Sequence, residues 1–555
     1  SVNEEKSGYF DINYGTLNFA SLTAFSYNDF GDLKMGRTKN HNGDFFGERT
    51  FYTETINNVD VLTQNDNKYV QKTSGYKQYN FMQKLAYVTG RGFTHSANFQ
   101  YSTSTNINRY DRLTDPNGSG LKSAEWYYGP QKRLLGIYSL EKENVFSNTD
   151  FKLDAGYQNV EESRHNRNFG NYNLQNRVEK VAVYSLAANF ETKLRNGNLY
   201  YGIENYYDDL KSTAEKTNIK TGIIIPLDTR YPNGENNMMR NDIYLSYSSK
   251  RDEDTNFSMG ARAGYATLNS TIADNSLMSL PFTEIKQQNF TYSGNIGLVH
   301  NTSENFIIKT NLSSGFRVPN IDDLAKIFDP GANNLVVPNK DLKPEQTITG
   351  DLGFVLKSKT NKHQFDATYF YTQLYNAIVT DDFTFNGSST YDIGNGDIKN
   401  VIANQNLGKA FVTGVNGNIK TTITKNLQFN GSYNLTLGRV TTEENKRPLD
   451  HIPPYFGKLG FNYAPKWATF EAYMLFNGKK HLDEYSTSGE DNLVYAPIGG
   501  TPAWETYNFK AGTKPMYGFT LFAGMENILD TQYRNFASGI NAGGRNIYGG
   551  AKYSF

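Results

Sequence analysis

The sequence predicts an all-β chain closed into a large antiparallel transmembrane β-barrel. Three observations carry this: an apolar/polar period of two, a composition rich in aromatic and turn-forming residues, and connections that alternate between very short and very long. Aromatic residues make up 14% of the 555 residues, with 40 Tyr and 36 Phe, and Gly numbers 49. Such usage favours extended, turn-rich chain over helix. Hydrophobic residues are only 37% and mean hydropathy is −0.63. No apolar run is long enough for a membrane helix, which needs about 18 residues or more. A barrel strand needs only about 9 to 11, half of them facing lipid, so low hydropathy is compatible with a membrane barrel. Cys is absent and net charge is zero, which removes disulfide and thiol chemistry and gives no reason to expect a nucleic-acid partner.

The elements follow in order along the chain. YFDINYG puts Phe10, Ile12 and Tyr14 on one face, and FASLTAFSY follows within a few residues. In NLQFNGSYNLTLG the residues Leu427, Phe429, Gly431, Tyr433, Leu435 and Leu437 share a face, while Gln428, Asn430, Ser432, Asn434 and Thr436 share the other. GFTLFAGMENI and the closing NIYGGAKYSF repeat the pattern. A soluble sandwich would turn a Lys- and Glu-rich face to bulk water. Here that face is Asn, Gln, Ser, Thr and Gly, with Tyr and Phe towards strand ends, as in an aqueous lumen with interfacial girdles. Short turns are read at Arg195-Asn196-Gly197 and around Thr360-Asn361. Long polar loops are read at Lys34–Lys77, Thr103–Gln131, Asp208–Asn237, Pro319–Pro344, Asp381–Asn406 and Asn477–Glu505. Counting hairpins gives roughly twenty strands.

The stretch from Gly315 to Glu345 breaks this pattern. FRVP would end an outgoing strand, since Pro319 lacks an N–H for the ladder, and PNKDLKPE would begin the return. Between them Ile321, Leu324, Ile327 and Phe328 have helical spacing, predicting one or two turns of helix at the barrel mouth. These boxes resemble the TonB-dependent outer-membrane receptors, specifically the haem, haemoglobin and transferrin receptor branch. SSGFRVPNIDDL is similar to that branch's FRAP box and VPNKDLKPE to its NPDL box. NINRYDRL, AEWYYGPQKR, ESRHNRNFGN, PLDHIPP and the C-terminal segment also resemble its barrel portions, and the terminal Phe555 resembles the aromatic insertion signature of such barrels.

The resemblance implies about 22 strands, an outer-membrane location, and a separate N-terminal plug through which a TonB-ExbB-ExbD complex delivers energy. Residues 1–555 then form the barrel domain, with the plug and the first strand expected upstream. The cargo it implies is iron-bearing, haem or a ferric siderophore, carried as ligand with no resident cofactor. Phe316, Arg317, Pro319, Asn339, Asp341 and Leu342, from the two boxes, become candidate ligand contacts, as do the loop histidines His165 and His481. The resemblance is incomplete, because no His lies between Pro319 and Pro338, where the haem branch carries one. His41 is the remaining loop histidine. This keeps open another cargo, such as cobalamin, another metal complex or an oligosaccharide with a surface lipoprotein as lid, and also a passive porin or adhesion barrel. Catalysis is not expected: there is no P-loop, HExxH or GxSxG. Asp322-Asp323, Asp381-Asp382 and Glu443-Glu444 are adjacent acids that specify no metal site. Trp126, Tyr127, Tyr128, Trp504 and Tyr507 are assigned to the interfacial belt.

Overall fold

The structure, a computed structural model, describes residues 1–555 except 40–45, 119, 251, 275–281, 327, 332–333, 393–397, 442–445 and 487–489. Ile327, His41 and the Glu443-Glu444 pair lie outside the described residues. The main sheet has 25 strands. Four short pieces, Ile107–Asn108, Ser123–Tyr128, Ile224–Pro226 and Lys446–Pro448, extend it at one end, and the other 21 form the wall. In chain order these are β1 (Lys6–Gly15), β2 (Phe19–Phe30), β3 (Tyr76–Val88), β4 (Phe93–Ser104), β5 (Lys132–Phe146), β6 (Thr149–Asn168) and β7 (Asn173–Leu194). Next come β8 (Gly197–Asn218), β9 (Asn236–Lys250), β10 (Thr255–Thr271), β11 (Glu284–Ser303), β12 (Phe306–Arg317), β13 (Glu345–Lys357) and β14 (His363–Tyr375). The wall ends with β15 (Lys409–Thr424), β16 (Leu427–Thr441), β17 (Phe456–Tyr463), β18 (Ala468–Asn477), β19 (Trp504–Thr513), β20 (Phe519–Glu526) and β21 (Asn546–Tyr553).

Each strand pairs antiparallel with its sequence neighbour. Short turns gather at one end, the four-residue turn between β6 and β7 at the other end excepted; Leu194 faces Gly197 across the Arg195-Asn196 turn, and Asn361 takes φ +54° in its turn. Alternation sorts the faces as the sequence indicates. Leu186, Ile203, Ile243 and Leu245 point outward and are about half exposed, the mark of a lipid-facing band. Their strand neighbours Glu204, Asp242 and Arg262 point inward, where Arg262 pairs with both acids. On β7 the outward row Phe190, Ala188, Leu186, Tyr184 and Ala182 gives way to Lys180, which shares Glu161 with Lys132. That ionic trio marks the outer edge of the apolar band.

Three boundaries differ from the sequence reading. β6, β7 and β8 run 20, 22 and 22 residues, well beyond what a membrane needs, so half of the expected Asp208–Asn237 loop is strand. Polar sequence there mimics loop because both faces meet water once the strands leave the lipid. The loops 328–336 and 378–406 build a second, five-stranded sheet with a parallel pair, Asn334–Val336 with Ile398–Asn406, around a core of Leu335, Val337, Phe385, Val401 and Ala403. Trp504 is buried against Tyr533 at 4.3 Å, and Trp126 and Tyr128 pack against Arg109 at the barrel mouth, rather than in the interfacial belt.

Ile243 sits about six residues above the short-turn end, opposite Ile203, near the middle of an apolar band about 25 Å tall. Ile243→Arg is expected to destabilise the folded barrel by about 2–4 kcal/mol, whereas Ser246→Arg on the lumen face leaves it nearly unchanged. Urea unfolding in lipid vesicles, followed by heat-dependent migration on gels, measures both. Equal losses would mean that the faces are reversed.

Candidate functional site

The long connections fold into one end of the barrel and build a mouth from residues far apart in sequence. It holds two short helices, α1 (Tyr110–Leu113) and, at its centre, α2 (Ile321–Ala325). Pro319 ends β12, and Asn320 caps the helix: its side chain accepts from the Asp323 N–H at 3.0 Å, and the Asp323 carboxylate accepts from the Asn320 N–H at 3.0 Å. The apolar side of α2 follows directly from its spacing. Leu324 and Ala325 are fully buried with Leu268 and Ile285 of the wall and Leu342 of the second box.

Arg317 binds the two boxes together. From the inner face of β12 it donates to Asp323 at 2.7 Å through Nη1 and to Glu345 through Nε, while the second Glu345 oxygen accepts the Ile378 N–H at 2.6 Å. Asp322 turns to the opposite side, accepting from the Tyr231 hydroxyl at 2.7 Å and from Arg230 at 3.2 Å, both in the connection between β8 and β9. Burial pushes the Asp322 carboxyl up, but Lys326, the Tyr231 hydroxyl and Arg230 overcome it and hold the group below the ordinary carboxylate range. Burial is also the largest influence on Tyr231, whose hydroxyl is pushed up to about 12, so it stays a donor. Asn339 donates to the Asn404 carbonyl at 2.7 Å, and Asn404 donates to the Asp323 carbonyl at 3.0 Å. Helix, second sheet and wall are thereby one hydrogen-bonded body.

At the same end lies a collar of arginines and rings, linked to α2 through Arg230, which neighbours Arg177 and Glu179. Arg109 packs 5.1 Å from the Trp126 ring and 5.4 Å from that of Tyr128, and Arg164 lies 5.5 Å from Tyr128 on its other side. Arg164 pairs with Glu179 at 3.0 Å, and burial raises the Glu179 carboxyl above its usual range. Arg177, beside Arg164 in the ladder, donates to the Asp228 carbonyl; burial lowers its guanidinium below the ordinary value. The collar thus offers cation-backed ring faces, with Arg109 also held by Asp111, Arg164 by Glu162 and Arg177 by Gln175. It offers no nucleophile or general-acid pair, and among the described residues no cluster of three His, Cys, Asp or Glu is placed to hold a metal.

The candidate residues read from the sequence separate. Arg317, Pro319, Asn339 and Leu342 come together, all engaged by protein groups. Phe316 pairs with Gln346 on the outward face of the wall. Asp341 is exposed, with only Lys340 near its carboxylate, at 3.6 Å. His165 stacks on Tyr127 at 4.6 Å and bonds Asn176, on the outward face of β6, and His481 is an exposed residue preceding a one-turn helix at Leu482–Glu484. Arg109, Arg177 and Arg230 were not singled out in the sequence. Arg109 lies within the box-like segment NINRYDRL and Arg177 six residues beyond ESRHNRNFGN, whereas no such segment marked Arg230.

An outward-apolar barrel with an ordered inner loop is the class of protein this fold defines, a membrane wall with a structured mouth. A family model described as TonB dependent receptor-like, beta-barrel, matches residues 5–528, and the chain belongs to that family of outer-membrane receptors and transporters. A search of curated proteins returned no match. Among solved structures, the copper transporter OprC is similar at TM-score 0.76 and 13% identity, over 100% of this chain and 78% of its own. The ferric yersiniabactin uptake receptor FyuA from Yersinia pestis gives TM-score 0.66 and 13% identity, covering 99% and 79% of the two chains. The Serratia marcescens hemophore receptor HasR, solved with its hemophore HasA and heme, gives 0.71 and 12%, covering 99% and 78%.

Arg317→Ala removes two charge-assisted bonds from a half-exposed side chain and is expected to speed amide exchange across 320–326 about three- to tenfold, with Arg317→Lys intermediate. Unchanged exchange would show that apolar packing alone holds α2. Because the folded Asp322 pKa is depressed, its contribution is complete above the ordinary carboxylate value of about 3.9 and is lost as pH falls through the lower folded value. A spin-label distance between residues 229 and 341, the latter exposed and tied to α2 through the Asn339 N–H, is therefore expected to hold constant from pH 7 to about 5 and to lengthen only below about 4. Lengthening near pH 6 would assign the latch to another group.

Proposed function

We propose that this barrel is the wall of an energy-coupled importer for an iron-bearing nutrient, haem or a ferric siderophore. The observation that carries the reading is the vestibule itself: an inner loop locked by Arg317 together with a collar of Arg109, Arg164 and Arg177 with Trp126 and Tyr128. Planar, anionic or catechol-like complexes suit ring faces backed by guanidinium groups. Family membership, with iron, haem and copper transport among the named structural relatives, supports the same reading.

Energy coupling in this reading comes from a TonB-ExbB-ExbD complex acting on a plug, and capture at the mouth is followed by plug movement. Coupling of this kind requires the cargo to bind two states of the receptor differently. β1 pairs only with β2 and β21 only with β20 among the described residues, and these two edges run in the same direction. The copper transporter resemblance keeps a second cargo in view, a metal complex other than iron.

Uptake of radiolabelled iron, supplied as haem and as ferric siderophores, tests the reading in cells with and without tonB. TonB-dependent accumulation of one iron source, lost on deleting the receptor, is expected. Accumulation of small solutes independent of tonB would instead make the barrel a passive pore, and copper uptake alone would reassign the cargo.

A further inference from the structure

β7 and β8, at 22 residues each, rise on the order of 50–60 Å at ordinary strand rise and barrel tilt, about twice the height of the apolar band. At their tips lies an open cleft of about 750 Å³. Its lining is unlike the rest of the molecule. Asn117, Asn168, Asn171, Asn173 and Asn218 border it together with the rings of Phe169 and Tyr172, which are 37% and 38% exposed, and none of the lining residues is acidic.

The amides are only partly used by the protein. Asn218 accepts the Lys220 and Thr221 N–H groups and donates to Asn173, and Asn171 accepts the Asn173 N–H. The Nδ2 groups of Asn171 and Asn173, and the whole amides of Asn117 and Asn168, have no protein partner among the described residues. An amide presents a donor and an acceptor side by side, the arrangement that matches two neighbouring hydroxyls on a sugar ring. An exposed aromatic face matches the C–H face of a pyranose. We propose that this cleft binds a neutral saccharide.

The surroundings favour that chemistry over an anion, since Lys122 is the only cationic lining residue. They also hold the cleft rigid. Directly beneath it Arg167 and Asp60, with side chains 1% and 2% exposed, form a bidentate pair at 2.7 Å. Arg167 also donates to the Asn171 carbonyl at 2.6 Å, and Asp60 accepts the Gly170 N–H at 2.8 Å. Gly170 takes φ +76°, and a Cβ built there would meet open space, so the turn between β6 and β7 is fixed from below while its upper side stays clear. Lys220 packs 4.7 Å from the Tyr172 ring and steadies it. A preorganised site of this kind loses little entropy on binding.

The sugar has two possible sources, polysaccharide of the cell's own outer leaflet and foreign soluble glycan, and the test separates them. The intact receptor in nanodiscs is applied to an array of defined neutral oligosaccharides and, separately, to the O-chain released from the cell's own lipopolysaccharide. At least one neutral glycan is expected to be retained. Its affinity should fall at least tenfold in Tyr172→Ala and in Asn168→Ala, with Tyr172→Phe close to the parent. Gel migration confirms that the variants fold, and iron uptake by the same variants separates this proposal from the transport reading. Retention of the O-chain alone supports the first source, and of array glycans the second. The proposal is overturned if no neutral glycan is retained, if only phosphorylated or sulfated glycans are, or if both alanine variants bind as the parent does.

Discussion

Every backbone polar group in the membrane must find its partner within the protein, and the rest of this structure is arranged around that requirement. Twenty consecutive antiparallel pairings meet it along the wall. They also explain the composition. A strand in a barrel presents alternate residues to lipid and lumen, so average hydropathy stays low while each outward row remains apolar. Where the outward row on β7 turns from Tyr184 and Ala182 to Lys180, the hydrocarbon ends and the constraint is relaxed. Strands then continue only because their side chains supply other reasons to do so.

Those reasons are ionic and local. Above the membrane Arg167 is almost fully buried, and such a charge is tolerable only because Asp60, Glu125, Thr55 and the Asn171 carbonyl together occupy its donors. The hairpin Phe51–Ile56 with Val59–Gln64 is pinned to the wall by the same group. At the mouth Arg317 does comparable work with lower burial, joining the end of β12 to the beginning of β13 and to the cap of α2. Balanced charge lets loops of more than twenty residues behave as a single body without a large apolar core.

Much of the wall was legible from residues alone. The period of two in Leu427–Leu437 put Tyr433 and Leu437 outward, and both are about 40–45% exposed there. Asn-Gly placed the turn between β7 and β8, and Pro319 placed the end of β12. Helical spacing found α2, although the chain becomes strand at Phe328, which that spacing had included. The site was less legible. The boxes marked the right segment, but Leu342 and Asn339 serve to hold it in place. Arg109 and Arg230 come from two other connections and Arg164 from β6, and nothing in their local sequence distinguishes them from solvated charge.

The sequence by itself determined the barrel, its inner and outer faces and the positions of its breaks. Each of these depends on the alternation of neighbouring side chains or on the backbone limits of Pro, Asn and Gly. Tertiary structure alone decided how far β6 to β8 rise, that residues 328–336 and 378–406 share a sheet, and which arginines meet across the mouth. Those outcomes depend on pairings between residues tens to hundreds of positions apart. Their energies come from burial and charge compensation that exist only once the wall has brought the loops together.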